Sequence, residues 1–323
     1  MHRFVRKQEA QERFFNTNNT NQIIIKMEEK RMIVVDATNF PDANFRQYLL
    51  EQDYCVDGVI AEEKIKDITV IDVHRRSIGH LTGIDLFTSL KELNCSYNML
   101  VSLDVTNIPT LVTLSCYNNQ LRELDVTKNA ALEELNCYAN KLTAIDVTHN
   151  PALKELRCYS NQLTELDVTH NPELKFLWCC YNQLRQVDTT NNLVLRELWC
   201  NGNHIEKFDV SHNTELVFFW CCLNQLKELD VTHNIALTKL RCYNNQLKEL
   251  DVTHNKALVE LRCNDNQLES LDVSENEALV ELWCYNNQLK ELDVLFNTSL
   301  TELRCYGNQL TSLEVTKNTA VIE

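Results

Sequence analysis

Glycine and proline are scarce in this chain, with 5 and 4 residues among 323. Most proteins build their turns from these two residue types, so other residues must make the turns here.

No apolar run is long enough to cross a bilayer, and the basic N-terminus lacks the apolar segment of a secretory signal peptide. Membrane insertion is therefore not expected, and a protein that begins at this methionine is expected to stay in the cytoplasm.

Positive charge is also limited, with 31 basic against 46 acidic residues and a formal net charge of −15. Nucleic acids and anionic membranes attract clustered lysine and arginine, so neither is an expected partner. The sequence shows no Ser-His-Asp or Cys-His grouping and no glycine-rich phosphate loop. We therefore expect no enzyme, no catalytic residue, no metal site and no cofactor.

A 21-residue period runs through most of the chain. Leucines from Leu90 to Leu300 recur every 21 residues and open eleven units of the form L-x-x-L-x-C-x-x-N-x-L-x-x-L-D-V-x-x-N-x-x. Residues 68–89 form a degenerate first unit of 22 residues, with Val73 at the cysteine position, and the chain stops three residues into a truncated twelfth unit. Positions within a unit are numbered from its first leucine.

Each unit predicts a short strand and a return segment. Positions 4 to 7 alternate with a period of two, so positions 1, 4 and 6 are expected to point inward and positions 3, 5 and 7 outward. The return segment is rich in Val, Thr, Asp and Asn, which are poor helix formers. The phrase is that of a leucine-rich repeat. We predict a leucine-rich-repeat solenoid of α/β type, with a parallel strand sheet on the concave face, short extended or 3-10 segments on the convex face and a small helical N-terminal cap.

The chain divides into three predicted parts. Residues 1–36 are expected to be a poorly ordered extension, residues 37–67 a helical cap, and residues 68–323 the repeats. The cap segment DYCVDGVIAEEK at 53–64 has the outline of an EF-hand calcium loop. Cys55 and Lys64 stand where that loop needs oxygen ligands, so we read the loop as degenerate.

Asparagine and cysteine fill regular positions of the repeat. Position 9 is Asn in all eleven units, and its amide is expected to form a ladder with backbone groups of adjacent units. Position 19 is expected to supply a left-handed turn residue.

Eleven of the 14 cysteines occupy inward position 6. Their parallel Cβ vectors argue against disulfides, so we predict buried free thiols. Cys180 and Cys222 occupy position 7 and are expected on the exposed strand face.

The phrase LRCYSNQLTELDVTHNPE resembles the cysteine-ladder repeats of internalin-J-type bacterial surface proteins. This resemblance covers residues 68–323, and residues 39–65 resemble the helical cap of the same group. It implies a secreted or surface-attached ligand-binding protein with an adhesin-like role.

Outward positions 3, 5 and 7 define the candidate binding surface. All four tryptophans of the chain occupy position 5, three of them in successive units. Exposed aromatic patches mark interfaces, and Trp, Tyr and Arg dominate interface energies. The predicted ligand-binding residues are Phe176, Trp178, Trp199, Phe218, Trp220, Arg157, Arg241, Arg262, Tyr159 and Tyr243.

We therefore predict a non-catalytic binding module that uses its concave face to bind a protein or peptide. Two alternatives stay open. A glycan could stack on the tryptophan row, or the chain could be a structural, self-assembling scaffold.

Overall fold

The computed structural model describes residues 31–318, and twelve parallel strands form its main sheet in sequence order. Each strand is three residues long and comes from one repeat unit. The strands are β4 (Val70–Asp72), β5 (Glu92–Asn94), β6 (Thr113–Ser115), β7 (Glu134–Asn136), β8 (Glu155–Arg157), β9 (Phe176–Trp178), β10 (Glu197–Trp199), β11 (Phe218–Trp220), β12 (Lys239–Arg241), β13 (Glu260–Arg262), β14 (Glu281–Trp283) and β15 (Glu302–Arg304).

Adjacent strands pair so that equivalent repeat positions stand side by side. Val70 pairs with Glu92, a step of 22 residues, and Glu92 pairs with Thr113, a step of 21. The same 21-residue step continues to the last pair, Glu281 with Glu302. The predicted parallel solenoid, with one 22-residue unit ahead of the 21-residue units, is confirmed.

The core consists of stacked rows of one residue type. In a central unit, Leu195, Leu198, Cys200, Ile205 and Val210 are all completely buried. Burying one such aliphatic side chain contributes roughly 1.5–3 kcal/mol. Because every unit repeats this set, the rows form one continuous core along the solenoid.

The asparagines at position 9 form the predicted ladder. Asn119 donates its amide N–H groups to the carbonyls of Cys95 and Cys116, at 3.0 Å each, and accepts from the N–H of Leu100. One side chain therefore links its own unit to the preceding one. The same pattern, repeated along the chain, supplies turn hydrogen bonds without glycine.

The prediction that position 19 supplies the left-handed residue is wrong. Asn129 at this position is completely buried and donates to the carbonyls of Val105 and Ile108. The left-handed residue stands at position 8 instead, for example Asn118 with φ 53° and Ser160 with φ 54°. Position 19 is therefore a second asparagine ladder, which lies inside the solenoid.

The return side of the units contains little regular structure. Within residues 31–318 it shows one 3-10 helix, Ile84–Leu86, and isolated bridges such as Asp104 with Asp125.

The aspartates at position 15 accept hydrogen bonds from the turns that follow them. Asp125 accepts from the backbone N–H and the hydroxyl of Thr127, at 2.9 and 2.7 Å, and these bonds lower the pKa of its carboxyl.

The cap packs a two-turn helix against a small antiparallel sheet of order β1-β3-β2. Its elements are β1 (Met32–Val34), α1 (Ala43–Leu50), β2 (Cys55–Val56), β3 (Val59–Ala61) and α2 (Glu62–Ile65). Asp42 caps α1 by accepting from the N–H groups of Asn44 and Phe45, and its second oxygen accepts from Gly79 in the first repeat. This carboxylate therefore fixes the cap on the solenoid.

Two expectations for the cap need correction. The segment expected to resemble a calcium loop contains the β2–β3 hairpin, which turns at Asp57 and Gly58 with φ 52° and 73°, as a two-residue Asp-Gly hairpin requires. The expected helices are present, but the cap is a mixed helix-and-sheet unit. β1 also takes residues 32–34 from the extension expected to be poorly ordered; residues 1–30 lie outside the described residues.

In the described part of the chain, no helix is both long and apolar enough to cross a bilayer, and no group of three or more His, Cys, Asp or Glu side chains is placed to hold a metal ion.

Candidate functional site

The three successive tryptophans at position 5 stack face to face. The ring centroids of Trp178 and Trp199 lie 4.1 Å apart with planes 2° from parallel, and those of Trp199 and Trp220 lie 4.0 Å apart at 10°. Parallel strands in register place equivalent side chains about 4.8 Å apart. A slight lean of the indoles therefore brings their faces into contact.

Guanidinium groups cover both ends of this stack. Arg157 lies over Trp178 and Arg241 over Trp220, each with its central carbon 4.2 Å from the ring centroid. Such cation–π contacts contribute about 0.5–2 kcal/mol each. We call the five side chains the aromatic column, which consists of Arg157, Trp178, Trp199, Trp220 and Arg241.

The column leaves indole edges, not indole faces, open to solvent. Both faces of Trp199 contact other indoles, and the outer faces of Trp178 and Trp220 contact guanidiniums. All three tryptophans point outward as predicted, but they are half-buried. A sugar ring, which needs an open aromatic face, has none available in this row.

Cys180 and Cys222 are not on an exposed surface, and this expectation is wrong. Their exposed fractions are 5% and 2%, and Asn201 between them is also buried. The reason is the small size of these side chains, since Ser96 and Asn264, the remaining small residues at position 7, are also buried, with exposed fractions of 1% and 2%. Burial raises the pKa of the Cys180 thiol to about 12, so these two thiols are packing residues beneath the column.

Position 7 is small in the three units of the tryptophan stack and is tyrosine in the two units that adjoin them. Where position 5 is small, at Ser115 and Asn136, position 7 carries Tyr117 and Tyr138, whose rings stack at 4.3 Å. The tyrosine row ends at Tyr159 and resumes at Tyr243, on either side of the buried cysteines. The two predicted tyrosines therefore flank the column, and burial raises the pKa of both phenols.

Position 3 adds apolar side chains along the other side of the column. Phe176 and Phe218 are half-buried, and Glu197 between them accepts from the indole N–H of Trp178 at 3.3 Å. Lys239 lies over the ring of Phe218 at 5.4 Å. The two phenylalanines replace the Glu or Lys found at this position in most units.

Carboxylates hold the arginines in place through Nε. Arg157 Nε lies 2.8 Å from Glu155, and Arg241 Nε donates to the buried Glu260 at 2.6 Å. Arg262 Nε bridges Glu260 and Glu281, at 3.0 and 2.6 Å. The orientation of each guanidinium is thus fixed by one or two ion pairs and one aromatic ring.

Sequence reasoning missed two residues at position 8. Tyr181 and Leu223 have φ of 51° and 55°, and their exposed fractions are 55% and 40%. Bulky residues are outliers in this conformation. Tyr97, which is 43% exposed, is a third bulky residue of this row. The remaining residues are small or polar: Asn118, Ala139, Ser160, Gly202, Asn244, Asp265, Asn286 and Gly307. That contrast was readable in the sequence once the left-handed position was known.

The structure places all ten predicted site residues on one face of six successive units. We call the apolar part of this surface the central patch. It consists of Phe176, Trp178, Tyr181, Trp199, Phe218, Trp220 and Leu223.

A parallel sheet of 21-residue units, with leucine and cysteine inside and asparagine at the turns, defines a leucine-rich-repeat protein. The chain resembles internalin J of Listeria monocytogenes. It is 34% identical to the functional domain of InlJ, which includes a cysteine ladder, over 91% of this chain and 61% of that one, with a TM-score of 0.75. It is also 40% identical over 68 residues to internalin J of strain F2365, which is 21% of this chain and 7% of that protein.

The chain thus spans 61% of the InlJ domain, and its match to the full internalin J spans 7% of that protein. No protein-family model matches the chain. Two further structures share the fold: InlF from Listeria monocytogenes, with 22% identity over 88% of this chain and 94% of that one and a TM-score of 0.72, and the plant peptide hormone receptor RGFR1 in complex with RGF2, with 18% identity over 81% and 48% and a TM-score of 0.72. None of these relatives is described as an enzyme.

Proposed function

We propose that this chain is a non-catalytic binding module whose concave face binds a protein or peptide through the central patch. The observation that carries this proposal is the row of three stacked tryptophans capped by arginines at an outward position. The solenoid does not need them, because Asn94, Ser115 and Asn136 fill the same position in other units.

The physical character of the patch supports a macromolecular partner. Trp, Tyr and Arg carry most of the binding energy in protein interfaces. The stacking and the ion pairs already fix the side chains of the aromatic column, so binding loses little side-chain entropy. A rigid apolar surface of this kind suits a chain that presents apolar side chains to the indole edges.

A peptide or protein fits this surface better than a glycan does. Sugars bind tryptophan by lying on an open ring face, and the faces in the column are covered. RGFR1, a peptide hormone receptor solved with RGF2, has the same fold. The resemblance to internalin J supports a finer form of the proposal, an adhesin-like role.

A peptide selection tests the proposal. A phage-displayed library of random dodecapeptides is panned on the full chain, and the affinity of the enriched peptides is measured by titration calorimetry. We expect the double variant Trp199→Ala/Trp220→Ala to weaken their binding at least tenfold, which corresponds to about 1.4 kcal/mol. The matched control is Trp283→Ala, because Trp283 occupies the same repeat position between Arg262 and Arg304 but lies outside the central patch.

A second variant, Phe176→Ala/Phe218→Ala, removes apolar contacts while it keeps the indole stack intact, and it should also weaken binding. Circular dichroism verifies that each variant keeps the fold. Enriched peptides that bind both double variants as tightly as the original chain would refute the proposal, and so would equal losses in Trp283→Ala.

A further inference from the structure

We infer that the partner presents an extended apolar segment with a carboxylate near each end, and that this segment lies along the solenoid axis over the aromatic column. This inference rests on the proposed function, since it names the chemistry of the partner at the same surface.

The two arginines that cap the column set the length of the segment. Arg157 and Arg241 occupy the same repeat position four units apart. At about 4.8 Å per strand, their guanidiniums are roughly 19 Å apart. An extended chain rises about 3.3 Å per residue, so about six residues separate two groups that reach both arginines.

Each capping guanidinium is oriented for one more acceptor. The Nε of Arg157 faces Glu155, and the Nε of Arg241 donates to Glu260. The ion pairs of these two arginines are formed by Nε, and their side chains are 32% and 23% exposed. Paired Nη groups match the geometry of a carboxylate.

The charge around the column also favours an acidic partner. At outward positions 3, 5 and 7 of the six units from Leu153 to Asn264 there are four basic and three acidic side chains, an excess of one positive charge in a chain of net charge −15. The same positions carry two acidic and no basic residues in the three preceding units, and one basic against two acidic residues in the two units that follow. The positive excess is therefore confined to the part of the face that contains the column.

The middle of the segment should be apolar because the other side chains of the central patch border the column on both sides. Phe176 and Phe218 line one side, and Tyr181 and Leu223 stand at the turn on the other. Bulky side chains rarely adopt the left-handed conformation. Tyr181 and Leu223 are nevertheless kept there with 55% and 40% of their surface exposed, as is Tyr97 far from the column with 43%. Their place at this edge fits contacts with a bound apolar chain.

The peptides selected above provide the test. We expect them to carry two Asp or Glu residues about six positions apart, with apolar residues between them. Changing either acid to its amide should weaken binding at least fivefold. Arg157→Gln and Arg241→Gln should weaken the acidic peptide by a similar factor and leave the amidated peptide unaffected, as expected for a directly coupled pair. The control is Arg304→Gln, which removes a guanidinium with matching contacts, 4.1 Å over Trp283 and 2.7 Å from Glu302, outside the column.

The outcomes separate this inference from the proposed function. Peptides that depend on Trp199 and Trp220 but carry neutral or basic ends, or ignore both arginine variants, overturn the inference and leave the function in place. Peptides that show no dependence on the tryptophans overturn both.

Discussion

The side chain of a single asparagine at position 19 joins two consecutive units of the solenoid. Asn234 is completely buried and donates its amide N–H groups to the carbonyls of Val210 and Asn213, at 2.9 Å each. In Asn234→Ala both carbonyls lose this donor but keep a backbone N–H, that of Asn213 for Val210 and that of Leu216 for Asn213. Each lost hydrogen bond costs about 0.5–1.5 kcal/mol. We expect the free energy of unfolding to fall by about 2 kcal/mol or more, measured by urea denaturation.

The adjacent residue offers a matched control. His233 is exposed, so His233→Ala should change stability by less than about 0.5 kcal/mol. Equal stability of the two variants would show that the position-19 ladder does not hold the units together.

For single residues, the sequence predicts the features that recur at the same position of every unit. The position-9 ladder and the buried position-6 thiols follow from the period alone, and both are confirmed for residues such as Asn119 and Cys116. The burial of Cys180 and Cys222 could not be predicted in this way. Small side chains at position 7 are buried whatever residue stands at position 5, as Ser96 and Asn264 show, and this is a property of side-chain packing and not of strand alternation.

At the scale of the element, the left-handed turn at position 8 contains a testable source of strain. Leu223 has φ 55° and is 40% exposed, whereas Asn244 holds the same position in the next unit with φ 52°. Asparagine tolerates this conformation far better than leucine. Leu223→Asn should therefore raise the free energy of unfolding by about 1 kcal/mol, measured by urea denaturation.

The reciprocal change is the control for this prediction. Asn244→Leu introduces a bulky residue at the same backbone position and should lower stability by a similar amount. If Leu223→Asn is instead less stable, the side-chain contacts of Leu223 stabilise the fold by more than its left-handed backbone destabilises it. If the inferred partner contact exists, the same stabilised variant should bind the selected peptides more weakly, the usual trade-off between stability and function.

The elements of the repeat array and the helices of the cap were largely predictable, and the strands of the cap were not. Eleven copies of one pattern reinforce each other, so each three-residue strand such as Glu197–Trp199 is identified by its register in the repeat. In the cap, Met32–Val34 pairs with Val59–Ala61 across a long stretch of chain. A single three-residue segment carries too little periodicity to reveal such a distant pairing.

At the scale of the whole molecule, the cysteine ladder links stability to pH. The thiols inside the solenoid are buried, and burial raises the pKa of Cys95 and Cys137 to about 12 and that of Cys242 and Cys263 well above the ordinary value. An unfolded cysteine loses its proton near pH 8.5. Above that pH the folded chain therefore binds more protons than the unfolded one, and stability falls as pH rises.

The last prediction follows from this proton linkage. Each buried thiol contributes a loss of up to about 1.4 kcal/mol per pH unit between its unfolded and folded pKa values. Val73 is completely buried at the cysteine position of the first unit, so valine fits this place in the core. The double variant Cys242→Val/Cys263→Val should therefore lose stability more slowly above pH 9, by up to about 2.7 kcal/mol per pH unit.

Urea midpoints at pH 8, 9 and 10 under reducing conditions measure how steeply the stability of each protein falls with pH. The tyrosines with raised pKa values, such as Tyr138 and Tyr243, remain in both proteins, so the difference between the slopes reports on the two thiols alone. Parallel curves would show that the ladder thiols ionise as readily in the folded chain as in the unfolded one, and that the buried cysteine rows do not limit the stability of the solenoid at high pH.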